Sequence, residues 1–127
     1  MLFKKADKLN MIIGEGSQIT GDIEAHGTAL LEGTLFGNFH GEKIILGEKA
    51  YVKGNLFGRA ISIGGRIDGN LFGADTVDLR PTGHVTGDIH TKKLAIMEGA
   101  VFNGMSSVEE HESAIKDNKV VEFAAKS

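Results

Sequence analysis

Gly54-Asn55-Leu56-Phe57-Gly58 returns almost unchanged as Gly69-Asn70-Leu71-Phe72-Gly73, and nothing else in this chain restricts its fold so strongly. Both belong to a longer unit, small-x-apolar-x-Gly-x-apolar, preceded by an apolar-x-apolar pair. Self-similarity at a steady spacing is the mark of a repeat architecture. Six copies are present. The pairs are Met11/Ile13, Ala29/Leu31, Ile44/Leu46, Ile61/Ile63, Val77/Leu79 and Leu94/Ile96. The units after them are Ser17-Ile19-Gly21-Ile23, Gly33-Leu35-Gly37-Phe39, Ala50-Val52-Gly54-Leu56, Gly65-Ile67-Gly69-Leu71, Gly83-Val85-Gly87-Ile89 and Ala100-Phe102-Gly104-Ser106. Their first residues lie 16, 17, 15, 18 and 17 positions apart. Only the last copy decays, with Ser106 where an apolar residue is expected.

The alternation inside each copy has period 2, which is strand. Residues two apart in a strand share a face, so the small residue, the two apolar residues and the Gly of each unit point the same way. All copies run in one direction with no hairpin turns between them. Coiling the chain so that each copy stacks on its predecessor satisfies both facts. The expected fold is therefore all-β: a single-domain triangular β-helix, a β-solenoid of about six turns of roughly 17 residues. With stacked strands about 4.8 Å apart, the rod is roughly 29 Å long.

Two regularities describe the corners. The Gly before the second apolar position avoids a Cβ that is expected to crowd the core or force an unfavourable φ. The residue after it reads Asp22, Asn38, Asn55, Asn70, Asp88 and then Met105. Asp and Asn tolerate corners and bond nearby backbone, so this column is expected to be a structural ladder rather than a set of catalytic carboxylates. Turns two and four join pair to unit directly. The others insert two residues as a loop, at Gly14-Glu15-Gly16, Gly47-Glu48-Lys49, Arg80-Pro81-Thr82 and Met97-Glu98-Gly99.

The 127 residues hold 18 Gly, one Pro and no Cys, with a net charge of -3. Periodic glycines argue for order rather than low complexity. Without Cys there are no disulfides or thiolate metal sites, which fits a reducing compartment. The mild acidity argues against nucleic acid as a partner. No apolar run approaches the ~18 residues of a membrane span, and Met1 to Lys8 has no signal-peptide core. These properties fit a soluble cytoplasmic protein.

With the register in hand, the body resembles the bactofilins, a family of bacterial cytoskeletal proteins. The matching features span about Ile12 to Met105: Ile19-Thr20-Gly21-Asp22-Ile23, the middle Val-x-Gly-x-Leu turns, Val85-Thr86-Gly87-Asp88-Ile89, and Leu94-Ala95-Ile96-Met97-Glu98-Gly99-Ala100-Val101-Phe102-Asn103-Gly104. The resemblance implies a right-handed β-helix that polymerises end to end, without nucleotide, into nonpolar filaments. It further implies that the filaments lie on the inner membrane and position cell-wall or cell-shape machinery, so the expected partners are the chain itself, anionic lipid, and cell-wall enzymes or their membrane anchors.

Three segments are expected: 1–10 as a flexible N-terminal segment, 11–105 as the β-helix, and 106–127 as a flexible charged tail with a weak helix near 108–117. A rod of stacked strands has two open ends whose unpaired backbone groups recruit another chain. Ile19 and Ile23 at one end, and Leu94, Ile96 and Phe102 at the other, are the expected polymer contacts. Phe102 matches the family's terminal-turn Phe, which the resemblance places at the contact. It also fits a plain core residue in a widening last turn.

The residue after the second apolar position reads Glu24, His40, Phe57, Phe72, His90. Two exposed Phe flanked by imidazoles make either an aromatic ladder that stabilises the rod or a lateral or partner surface. On the pair face Ile12, Leu30 and Ile45 are expected to point outward as an apolar patch. Met1, Leu2, Phe3, Lys4 and Lys5 fit a peripheral membrane anchor, with apolar residues inserting while each lysine contributes about 1 kcal/mol toward anionic lipid. One such anchor is marginal, but a polymer repeats it.

The rival class is a left-handed β-helix acyltransferase-like enzyme. Against it, the turn length wanders and the copies are not clean hexapeptides. A zinc enzyme of the γ-carbonic anhydrase type needs three converging His. His26, His40, His84, His90 and His111 are scattered, and His40 and His90 are expected three turns apart, roughly 14 Å. No nucleophile–base pair or phosphate loop stands out. No catalytic residue, metal or cofactor is expected. A monomeric β-solenoid binding module is the third reading, and it requires both ends to be capped.

Overall fold

The computed structural model describes residues 9–111, with side chains described within 11–108. The first rung contributes β1 (Leu9–Ile13), β2 (Gln18–Thr20) and β3 (Ile23–Glu24). The second holds β4 (Thr28–Leu31), β5 (Thr34–Phe36) and β6 (Phe39–His40). The third opens with β7 (Lys43–Leu46) and β8 (Tyr51–Lys53). From there the chain runs through β9 (Leu56–Ile63), β10 (Arg66–Asp68), β11 (Leu71–Leu79), β12 (His84–Thr86), β13 (Ile89–Ile96), β14 (Val101–Asn103) and β15 (Ser106–His111).

Every pairing is parallel and joins one rung to the next, as in Leu35↔Val52 and Ile44↔Ile61. The repeat register read from the sequence is thus the pairing register of the rod. One face is the six-stranded sheet β14-β12-β10-β8-β5-β2. The other two faces form one nine-stranded sheet, because β9, β11 and β13 turn a corner without losing their pairing. That corner carries a bulge. Gly73 and Thr76 of β11 face Gly58 and Ala60 of β9, so rung four holds one residue more than rung three between them. Such an extra residue bends a strand and pushes its neighbour outward.

The four corner insertions are tight turns, closed by Ser17 N–H to Gly14 O at 3.1 Å, Ala50 to Gly47 at 3.1 Å, Gly83 to Arg80 at 2.8 Å and Ala100 to Met97 at 3.0 Å. From the second pair onward, the residue after each pair also donates to the rung below. In turns two and four these are Glu32 to Ile13 O at 2.7 Å and Gly64 to Leu46 O at 2.7 Å, and Gly47, Arg80 and Met97 do likewise at 2.9 Å where a tight turn follows.

The core is a stack of inward apolar residues. Leu35, Val52, Ile67 and Val85 line one face, and Phe39, Leu56, Leu71 and Ile89 another, all at 0% exposure. At roughly 1.5–3 kcal/mol per buried aliphatic or aromatic side chain, this stack is the dominant stabilising term.

The reason for the glycine column differs from expectation. The φ values are positive as anticipated, +154° at Gly54 for example. However, a Cβ on Gly54 would not enter the core. It would overlap the carbonyl oxygen of Gly37 on the rung below. The constraint is axial: the glycines let successive backbones approach along the rod.

The strand ladder also continues past Met105. β15 pairs with β13 from Ile89↔Ser106 to Leu94↔His111, adding part of a seventh rung. Residues 108–111 are strand where a weak helix was expected, because backbone pairing to an existing edge does not need the apolar alternation that Ser106 and Ser107 lack. The remaining expectations for 1–8 and 112–127 lie outside the described residues.

Candidate functional site

Two kinds of surface stand out: the ends of the rod and the corner that carries the aromatic column.

At the N-terminal end, among the described strands, β2 pairs only with β5, and β3 only with β6. Ile19 and Ile23 occupy the positions that Leu35 and Phe39 hold one rung on. Leu35 and Phe39 are fully buried, whereas Ile19 and Ile23 are half-exposed against the core. Ile12, beside them on the pair face, is 63% exposed. Its column continues through the half-buried Leu30 and Ile45 and turns polar at Ser62 and Asp78.

At the C-terminal end β14 has a single neighbour among the described strands, β12, with Phe102 opposite Val85. Phe102 packs half-buried against the core, while Val101 and Met105 stand exposed beside it. Leu94 and Ile96 lie deeper, at 2% and 4% exposure, and Leu94 is paired with His111 of β15. Among the described residues, the ends therefore present incomplete apolar layers with unextended strand edges.

The corner column is a continuous stack. His40 and Phe57 lie 4.4 Å apart at 4°, Phe57 and Phe72 4.9 Å apart at 7°, and Phe72 and His90 4.9 Å apart at 3°. The two Phe are half-buried rather than exposed, because each covers the other's face. The rod spacing sets this geometry, and stacked pairs of this kind contribute about 0.5–1.5 kcal/mol each beyond area burial. Beside the rings runs a shallow trough floored by Gly58, Gly73 and Ala74. Two Phe rings separate His40 from His90, and among the described residues no three His, Asp or Glu side chains gather as a metal site.

A neighbouring column escaped the sequence reading. Glu42, Arg59, Asp75 and Lys92 follow one another on rungs two to five at this same corner, alternating in sign. Arg59 N–H bonds Glu42 O at 2.9 Å, and the Arg59 Nε and Nη2 both reach Asp75 Oδ2 at 3.1 Å. The bulge in β11 brings Asp75 out to that position. Alternating charge at the spacing of the repeat was the available signal.

The Asx column is a hydrogen-bond ladder, as expected. Asn38, Asn55, Asn70 and Asp88 each donate their backbone N–H to the Oδ1 of the preceding member, at 2.9–3.0 Å. Its carboxylates are thus structural. On the outer face of the six-stranded sheet the Tyr51 hydroxyl donates to Asp68 Oδ2 at 2.9 Å. Met1, Leu2, Phe3, Lys4 and Lys5 lie outside the described residues, and among those described no helix is long and apolar enough to cross a membrane.

Comparison with known proteins agrees with this architecture. The family model of the bactofilins, described as polymer-forming cytoskeletal, matches residues 11–107. Bactofilin BacO of Myxococcus xanthus (strain DK1622) is 34% identical over 101 residues, covering 75% of this chain and 76% of that protein. The cryo-EM reconstruction of Thermus thermophilus bactofilin double helical filaments shares the fold. Its TM-score is 0.70 at 24% identity, over 77% of this chain and 98% of that one. The match covers the rungs from Met11 to Ser107, and this chain belongs to the bactofilin family of polymer-forming cytoskeletal proteins.

Proposed function

We propose that this chain joins end to end, without nucleotide, into nonpolar filaments that line the inner face of the bacterial membrane and position cell-wall or cell-shape machinery. The observation that carries the proposal is the contrast within one column of the core. Ile19 and Ile23 are half-exposed where Leu35 and Phe39 are at 0%. A second rod placed on that end covers them and satisfies the strand edges at once. Phe102 offers the matching surface at the far end, with Leu94 and Ile96 behind it as the layer on which it rests. The filaments of the Thermus thermophilus relative support the same assembly.

Membrane attachment is assigned to Met1, Leu2, Phe3, Lys4 and Lys5, whose weak individual affinity a filament multiplies. The scaffold's clients are the chain itself, anionic lipid, and cell-wall enzymes or their membrane anchors. Catalysis has no part in this reading.

Negative-stain microscopy of the purified full chain tests it: wild type forms filaments and Phe102→Arg, folded by circular dichroism, does not. Filaments from folded Phe102→Arg would remove Phe102 from the contact. A monodisperse wild type at micromolar concentration would remove the polymer itself. Co-sedimentation with anionic vesicles, comparing wild type with a Leu2→Ser/Phe3→Ser variant, tests attachment. Equal pelleting sinks that part.

A further inference from the structure

The corner that carries the aromatic column has a symmetry of its own. From rung two to rung five the ring column reads His40, Phe57, Phe72, His90, the same in either direction. The adjacent charge column reads Glu42, Arg59, Asp75, Lys92, and its signs invert when it is reversed. Both series have their midpoint between rungs three and four. A surface with these two properties is self-complementary about a two-fold axis through that midpoint.

We propose that this corner is a lateral interface with a second copy of the chain lying antiparallel alongside. Across the axis Glu42 faces Lys92 of the second copy, and Arg59 faces its Asp75. The central Arg59–Asp75 ion pair then becomes a cycle of four alternating charges. His40 stands opposite His90 and Phe57 opposite Phe72. The trough over Gly58, Gly73 and Ala74 leaves room for the partner's ring edges.

Parallel pairing in register would oppose like charges on all four rungs. Charge arrangement of this kind selects orientation and register more than it adds affinity. The side chains are free to make such contacts: Arg59 and Asp75 are 66% and 49% exposed, and Glu42 and Lys92 are exposed. Single surface ion pairs are worth little, so stable pairing draws on repetition along a filament. In that respect the interface rests on the filament reading.

Charge reversal read by electron microscopy tests it, since both residues are exposed and neither side chain takes part in the core. Wild type gives paired filaments. Glu42→Lys alone and Lys92→Glu alone each give single filaments of half the width. The Glu42→Lys/Lys92→Glu double variant, and an equimolar mixture of the two single variants, return to pairs. Pairing that survives both single reversals overturns the interface, as do wild-type filaments that are never paired. Failure of the double variant to recover overturns the antiparallel arrangement. If wild type forms no filaments, the end-to-end reading falls instead, and light scattering then decides the corner. A dimer dissociated by either single reversal supports it, and a monomer overturns it.

Discussion

Asn55 Oδ1 accepts the backbone N–H of Asn70 at 2.9 Å, while the N–H of Asn55 is itself held by Asn38 Oδ1 at 3.0 Å. Each member of this column is an acceptor for the next rung and a donor to the one before. The file runs from Asp22 to Met105, whose N–H reaches Asp88 Oδ1 at 3.4 Å. It ends there because a methionine side chain offers no carbonyl to continue it.

Truncating the middle of this file leaves the Asn70 N–H without its acceptor at a partly buried corner. Asn55→Ala is expected to destabilise the chain by about 1–2 kcal/mol, measured as a shift in the urea midpoint. Asn55→Asp keeps an acceptor in the same place, as Asp22 and Asp88 do natively, and is expected to stay within about 0.5 kcal/mol of wild type. Equal losses for the two variants would mean that side-chain volume, not the acceptor, holds the corner.

The glycine column yields a position-dependent result. At Gly54 an added Cβ overlaps the Gly37 carbonyl oxygen, with φ at +154°. Backbone cannot give way there without parting two rungs, so Gly54→Ala is expected to cost more than about 3 kcal/mol or to prevent folding. Gly21 has the same conformational type, φ +128°, but nothing lies within 4 Å of its added Cβ, since it belongs to the first described rung. Gly21→Ala is expected to cost only the backbone term, about 1–2 kcal/mol. Thermal unfolding of the two variants separates axial crowding from backbone preference, and equal melting temperatures would refute the axial account.

Tyr51 provides a spectroscopic probe, since it is the chain's one tyrosine. Its hydroxyl donates to Asp68, and that hydrogen bond, then its partial burial and the Asp68 charge, push its pKa above the ordinary value. The folded value lies above the unfolded one near 10. The stabilising contribution is therefore complete below about pH 10 and is lost as pH rises through the folded value. Titration at the tyrosinate absorbance band should place the midpoint above that of denatured chain. Asp68→Ala should bring it down, and an unchanged midpoint would show that Asp68 is not the cause.

Much of this architecture is visible in the residues alone, for a physical reason. A solenoid repeats one environment, so Leu35, Val52, Ile67 and Val85 all report the same inward position. The Asx column was legible in the same way. What period and composition could not show were contacts that depend on the neighbouring rung. The axial crowding at Gly54 depends on where the Gly37 carbonyl lies, and the outward placement of Asp75 depends on a bulge. β15 was hidden because Ser106 and Ser107 break the apolar alternation while the β13 edge still pairs with them. The end contacts were legible only as positions. How bare Ile19 is, and how deeply Leu94 sits, are set by the layers around them.

Ser106 stands where the stack of inward residues gives out. It occupies the position held by Ile89 on the rung before and is 3% exposed, yet its hydroxyl has no hydrogen-bond partner among the described residues. A buried hydroxyl stripped of water and left unpaired costs about 1–3 kcal/mol. Ser106→Ala removes that burden and little volume, so the variant is expected to be more stable by about 1 kcal/mol, with a raised urea midpoint at unchanged slope. Ser106→Thr keeps the hydroxyl and should bring no such gain. If Ser106→Ala instead loses stability, the hydroxyl has a partner that holds the seventh rung in place, and the rod ends through a specific polar contact rather than through the exhaustion of its apolar repeat.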